Sequence, residues 1–168
     1  MTGLLIENTL LKQTEAAIEK KVPADTRDNY LKIVVGGMKY GLAKGKDGAL
    51  ASLKDSKDPV ADAVVGAINV VGIIRQNAKG TMPIDAMVPA AMTLLLHTLD
   101  FAEKMNLVTI TPDVLDRATE MFMDKIMRLM KITPEDMSDA LGKVHTILRD
   151  PDMMAKYKGQ QDGASKLR

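Results

Sequence analysis

Two long apolar stretches at the centre of the chain constrain its fold more than any other feature. Residues 60–74 and 86–99 are almost entirely apolar, and the turn-forming segment 76–83 joins them. Each stretch has about 14–15 residues, fewer than the roughly 20 that span a bilayer and more than a buried strand needs. The pattern therefore predicts two helices that are buried on most sides within an all-α protein.

The composition fits a single domain whose core needs no disulfide. A chain of 168 residues can bury about two thirds of its unfolded surface. It contains no cysteine, which excludes thiol catalysis, thiolate metal sites and disulfides. The N-terminus lacks the basic and apolar regions of a secretory signal, so we expect the protein to stay in the compartment where it is made.

The charge balance argues against nucleic acid as a partner. The 23 basic and 22 acidic residues give a net charge of +1, and the two signs are interspersed along the chain. Nucleic-acid binders usually need a basic face, and single-strand binders also need aromatic side chains, of which this chain has three tyrosines and two phenylalanines. We therefore expect no direct contact with nucleic acid.

Periodicity and capping residues predict a compact bundle of about six helices around the central pair. Asp58, Thr111 and Thr133 each precede a proline, which combines a capping side chain with a residue suited to the first helical position. Pro89 either opens the fourth helix or kinks it. The predicted helices cover about residues 4–20, 25–42, 59–76 and 86–105, with two more that begin at 112 and 134.

The predicted helical domain extends from residue 1 to residue 157. It includes a polar insert at 41–57, rich in glycine and lysine, which we expect to be mobile. The remaining residues, 158–168, form a polar tail that cannot bury enough apolar area to offset the entropy of ordering it.

Four glycines within the predicted helices are candidates for close helix packing. A glycine inside a helix costs about 1 kcal/mol relative to alanine, so the adjacent Gly36 and Gly37 need a structural reason. Close approach of another helix is our interpretation, and a kink is the alternative. Gly66 and Gly72 would make the third helix thinner, so that its neighbours could approach closely.

No residue pattern predicts a catalytic, metal or cofactor site. His97, Asp100 and Glu103 are spaced three residues apart on one predicted helix. We interpret His97 as a packed residue that is hydrogen-bonded to a nearby acid, and His145 as structural too. The sequence has no zinc-protease motif, serine elbow or phosphate loop. We therefore expect a protein that is not an enzyme and that holds no cofactor or metal.

The thirteen methionines are the second unusual feature, because methionine suits adaptable contact surfaces as well as irregular core gaps. The fifth predicted helix carries two apolar stripes, which together are too wide for one core. The first stripe is Leu115, Phe122, Ile126 and Leu129, and the second is Met123, Met127 and Met130. A wide core stripe is the alternative. The predicted partner-contact residues are Met121, Met123, Met127, Met130, Met137, Met153, Met154 and Tyr157.

Two apolar helices joined by a polar turn could also form a membrane hairpin such as those of phage holins. Both stretches are short for this role, and charge at the centre of a bilayer is costly. The residues that argue against insertion are Asp62, Asn69, His97 and Asp100. We therefore expect no membrane contact and retain the hairpin as an alternative.

Several segments of the central region carry a resemblance to a known family. Residues 30–39 read YLKIVVGGMK, residues 66–72 GAINVVG, residues 82–92 MPIDAMVPAAM and residues 99–104 LDFAEK. Over about residues 30–131, the chain resembles a family of small virion-associated proteins from tailed bacteriophages. The resemblance rests on helix starts and packing residues, so it carries over no functional residue. It implies a structural or assembly component of the neck, the tail or the ejected internal proteins.

These observations together lead us to expect a non-catalytic structural or assembly protein of a tailed-phage virion. Its partners would be copies of itself, as a homo-oligomer, and other virion proteins. It would be made in the host cytoplasm and incorporated into the virion. The alternatives are a soluble phage regulatory or packaging-adaptor module and the holin-like hairpin.

Overall fold

The structure is a computed structural model, and residues 6–43, 53–131 and 133 are described. These ranges contain five complete helices and no strand, which confirms the all-α class there. The helices are α1 (Thr9–Glu19), α2 (Arg27–Ala43), α3 (Pro59–Asn77), α4 (Ile84–Lys104) and α5 (Pro112–Met130). The count of six is not confirmed, because the helix predicted from residue 134 and the tail at 158–168 lie outside the described residues.

The cap at Asn8 places the start of α1 later than its periodicity predicts. The side-chain oxygen of Asn8 accepts hydrogen bonds from the amides of Leu10 and Leu11, at 3.0 and 3.2 Å. These bonds satisfy amides that have no partner within the helix. Residues 6–8 are not helical, and α1 begins at Thr9 instead of residue 4.

The starts of α3 and α5 agree with their predicted caps. Asp58 accepts a hydrogen bond from the amide of Ala61 at 3.2 Å, and Thr111 accepts one from the amide of Val114 at 3.3 Å. A proline follows each cap at the first helical position, as predicted. The end of α5 is marked by Lys131, whose φ of 54° is left-handed and incompatible with further helix.

Pro89 lies inside α4, so the first of the two predicted options, in which it opens the main helix, is wrong. The helix begins at Ile84, directly after the extended Pro83, and continues through Pro89 to Lys104. Pro89 has no amide proton to donate to the carbonyl of Asp85. This is tolerated near the start of the helix because Asp85 is exposed and its carbonyl can bind water.

Among the described helices, α4 has the most neighbours, and the predicted central helix pair is not confirmed. Helix α4 packs against all four of the other described helices, whereas α1 has its main contacts with α4 only. Of the most apolar 18-residue window in α4, 72% is buried, whereas the buried share of the corresponding window in α3 is only 39%. The expectation that α3 is a central helix is therefore not confirmed.

The four predicted packing glycines have different surroundings. A Cβ built on Gly37 would lie 2.9 Å from Cδ2 of Leu94, so α2 approaches α4 closely there because Gly37 has no side chain. Gly36 has ordinary contact with Ile74, at 3.9 Å from the built Cβ. Gly72 does not pack as predicted, because no atom comes within 4 Å of its built Cβ. Gly66 is half-buried in α3.

Both ends of the predicted mobile insert at 41–57 lie within the described residues. Helix α2 continues to Ala43, and residues 53–57 belong to the described chain. Leu53 is only 1% exposed and belongs to the core, which explains why an apolar residue occurs in this otherwise polar segment. Residues 44–52 lie outside the described residues.

Candidate functional site

The polar residues of α4 that sequence analysis singled out hold α1 in place. His97 Nε2 lies 2.8 Å from Oε1 of Glu15 on α1, and both side chains are mostly buried. The interpretation of His97 as a packed residue bound to an acid is therefore confirmed. The acid comes from another helix and is not Asp100, which could not have been read from spacing on α4 alone.

Asp100 fixes the backbone that leads into α1. Its Oδ1 accepts hydrogen bonds from the amides of Glu7 and Asn8, each at 3.0 Å. Its Oδ2 lies 2.8 Å from Nζ of Lys104, which also lies 3.2 Å from the carboxylate of Glu7. The hydrogen bond to Asp100 raises the pKa of Lys104. Asp100 is buried, and these partners compensate for the desolvation of its charge.

Glu103 joins the start of α1 to the connection between α4 and α5. One carboxylate oxygen accepts from the side-chain amide of Asn8 at 2.7 Å, and the other accepts from the backbone amide of Ile110 at 2.8 Å. We call His97, Asp100, Glu103 and Lys104, with their partners, the α1 latch. Its acids are engaged in hydrogen bonds that fix chain segments.

A second polar contact joins α2 to α4 inside the core. The hydroxyl of Tyr30 lies 2.9 Å from Oγ1 of Thr93, and both residues are buried. Burial raises the pKa of Tyr30 to about 12. The tyrosine is thus held in its neutral form, in which its hydroxyl can donate or accept a hydrogen bond.

A further ion pair joins the cap of α3 to α5. The cap residue Asp58 also pairs with the guanidinium of Arg117. The pKa of Asp58 is lowered, first by the hydrogen bond from the amide of Ala61 and then by Arg117. Among the described residues, no group of three or more His, Cys, Asp or Glu could hold a metal ion.

The described methionines of the predicted contact surface do not all lie on one face of α5. Met130 is only 7% exposed and belongs to the core, so its assignment as a partner contact is wrong. Met121, Met123 and Met127 are half-buried and pack against the core. Met121 and Met123 are two residues apart, which places them on different sides of a helix. Leu129, a member of the first predicted stripe, is 53% exposed, whereas Leu115, Phe122 and Ile126 of the same stripe are buried.

The other predicted contact residues lie outside the described residues. They are Met137, Met153, Met154 and Tyr157, together with His145.

Sequence reasoning missed an exposed face on α3. Val65 is 37% exposed, and Asp62, Asn69 and Gln76 are also exposed. Gly72 and Ile73 are half-buried beside them. The polar residues recur every seven positions, which keeps them on one side of a helix and could have identified this side as the outer one. We call Asp62, Val65, Gly66, Asn69, Gly72, Ile73 and Gln76 the outer face of α3.

Among the described residues, α3 and α4 are each long and apolar enough to cross a membrane. Core helices of soluble proteins meet the same criterion, and α4, which is mostly buried, has this character. Helix α3 is different because more than half of its apolar window is not buried.

Comparison with known proteins gives no match. No family model matches the chain, and no curated protein or solved structure is significantly similar to it.

Proposed function

We propose that this chain is a non-catalytic structural or assembly protein of a tailed-phage virion. It would belong to the neck, the tail or the internal ejected proteins, and would act through helix-mediated contacts with its own copies and other virion proteins. The supporting observation is the incomplete burial of α3, which leaves an apolar helix partly exposed on the described body. Exposed apolar surface of this kind is typical of interaction sites.

The polar residues of the described chain are consistent with a mechanical role in this proposal. The α1 latch, the Tyr30–Thr93 contact and the Asp58–Arg117 pair each connect two elements of the fold. They would keep the helical body rigid while its outer surfaces bind neighbours. A rigid body loses little conformational entropy when it assembles, which favours association.

A second contact region in the proposal is the end of α5. Leu129 is exposed there, and the half-buried Met127 lies two residues before it. The predicted contacts Met137, Met153, Met154 and Tyr157, which follow in sequence, belong to the same hypothesis.

The proposal can be tested on the phage that encodes the chain. Gradient-purified particles should contain the protein at a fixed copy number by quantitative mass spectrometry, and a deletion of the gene should yield defective particles that the intact gene rescues. Absence from particles of normal infectivity would contradict the proposal and favour the soluble regulatory module.

The membrane hairpin is a second candidate because both α3 and α4 meet the length and composition criterion. Insertion of the hairpin into a membrane would require α4 to lose its contacts with the four other described helices. The hydrogen bonds of the α1 latch would be lost as well. Fractionation of the host cells separates the candidates. A hairpin would remain in the membrane pellet after a high-salt wash, whereas an assembly protein would be released without detergent.

A further inference from the structure

The outer face of α3 has an arrangement of side chains that is symmetric about its centre. Asn69 lies in the middle, with Val65 four residues before it and Ile73 four residues after it. Asp62 and Gln76 lie seven residues before and after Asn69. The order of polar, apolar, polar, apolar and polar side chains is therefore the same in both directions along the helix.

The same symmetry holds for the two glycines. Gly66 precedes Asn69 by three residues, and Gly72 follows it by three. At Gly72, no atom comes within 4 Å of a built Cβ, so this glycine has no packing role in the described body. Glycine in a helix costs about 1 kcal/mol relative to alanine, which leaves Gly72 without an internal explanation.

We propose that the outer face of α3 binds the same face of a second copy, with the two helices antiparallel and a two-fold axis at Asn69. A two-fold interface brings one surface against itself, so residues at equal distances from the axis meet. Val65 then packs against Ile73 of the second copy, and Gly66 lies opposite Gly72. The absence of side chains at both glycines lets the helices approach closely.

The polar residues of this face select the antiparallel arrangement. The Asn69 side chain has both donors and an acceptor, so the two amides at the axis can bond reciprocally. Asp62 faces Gln76 of the second copy, whose side-chain amide can donate a hydrogen bond to the carboxylate. In a parallel pair, Asp62 would face Asp62, and the like charges would repel each other.

A second copy explains this face better than lipid does. Residues 63–74 carry no charge, but the polar residues Asp62, Asn69 and Gln76 lie on the exposed side of α3, seven residues apart. In hydrocarbon, their polar groups would lack partners, whereas the antiparallel pair provides one for each. This inference deepens the proposed function, because it identifies a surface through which copies would associate.

Charge substitutions at the axis provide the main test. In Asn69→Asp and Asn69→Lys, each homodimer would place two like charges together, and we expect the dimer dissociation constant to rise at least about tenfold in both. An equimolar mixture of the two variants should recover the dimer, because opposite charges then meet. The measurement is mass by light scattering or sedimentation across concentration, without detergent.

A glycine substitution tests the close approach. A Cβ at position 72 meets no atom within 4 Å in the described body, so we expect Gly72→Leu to preserve the folded monomer and to weaken the dimer about tenfold or more. Gly41→Leu is the matched control, because its built Cβ on α2 also meets no atom within 4 Å. It should fold and dimerise like the unmodified chain.

Three outcomes would overturn the inference. The first is an unmodified chain that is monomeric at its highest soluble concentration. The second is a dimer that tolerates both Asn69 variants and Gly72→Leu. The third is binding to phosphatidylcholine vesicles that Asn69→Asp weakens, with no dimer in solution. In each case, the virion proposal would still be decided separately by mass spectrometry of purified particles.

Discussion

Helices α3 and α4 have similar composition but very different surroundings. Both are long and apolar enough to cross a membrane, yet the buried share of the most apolar window is 39% in α3 and 72% in α4. Helix α4 contacts the four other described helices, whereas α3 has a side that none of them covers. Equal hydropathy therefore does not imply an equal role, because burial depends on how many neighbours a helix has.

The two helices also use their polar residues differently. On α4, Asp100 and Glu103 hold the backbone and side chain of Asn8 and so fix α1. On α3, Asn69 and Gln76 are exposed on the outer face. The polar residues of α4 thus stabilise the fold, whereas those of α3 remain accessible to a partner.

Truncation of an apolar side chain to alanine should change the free energy of unfolding much more on α4 than on α3, and this is the largest difference that we expect between the two helices. Leu95→Ala on α4 removes a fully buried side chain and should lower the free energy of unfolding by about 2–5 kcal/mol. Val65→Ala on the outer face of α3 should change it by no more than about 0.5 kcal/mol in the monomer. Urea denaturation measures both. Equal losses would mean that α3 is as deeply packed as α4.

The buried Tyr30 should make stability fall at high pH. Its pKa is near 10 when unfolded and about 12 when folded, so the folded state retains the proton longer. The stabilisation is complete below pH 10 and is lost as the pH rises towards 12, by about 3 kcal/mol in total. Denaturation across this range should show a smaller fall for Tyr30→Phe than for the unmodified chain. Parallel curves would contradict the assignment.

The α1 latch should respond to the loss of Asp100. Asp100→Ala leaves the backbone amides of Glu7 and Asn8 without their acceptor and removes one carboxylate from Lys104, and we expect about 1–3 kcal/mol of destabilisation. Amide hydrogen exchange should increase most in α1, whose main contacts are with α4. Thr98→Ala, on the same helix, is the control and should leave exchange in α1 nearly unchanged. Uniform exchange over all helices would show that Asp100 supports the whole core.

Two helical glycines should respond in opposite directions. Gly37→Ala places a Cβ against Leu94, and overpacking of about 1–3 kcal/mol should exceed the gain in helix propensity. Gly72→Ala meets open space in the described body and should stabilise the monomer by up to about 1 kcal/mol. Thermal denaturation of both variants measures the difference. Stabilisation by Gly37→Ala would mean that α2 and α4 can separate without loss.

Local signals predicted the helix starts more reliably than the helix roles. Asp58 and Thr111 were identified as caps because a capping side chain followed by proline acts within one turn. The stripes on α5 were less predictable. Met130 is buried and Leu129 exposed, although they are adjacent, because the neighbouring helices determine where the core ends.

The sequence by itself determined the helical class, the principal caps and the presence of two apolar central helices, because these follow from periodicity and short-range hydrogen bonding. Only the tertiary structure decided that α4 is central, that His97 binds Glu15 and that Gly37 packs while Gly72 does not. These features depend on contacts between residues far apart in the chain. Periodicity identifies the apolar side of a helix, but the packing of the other helices decides how much of that side is covered.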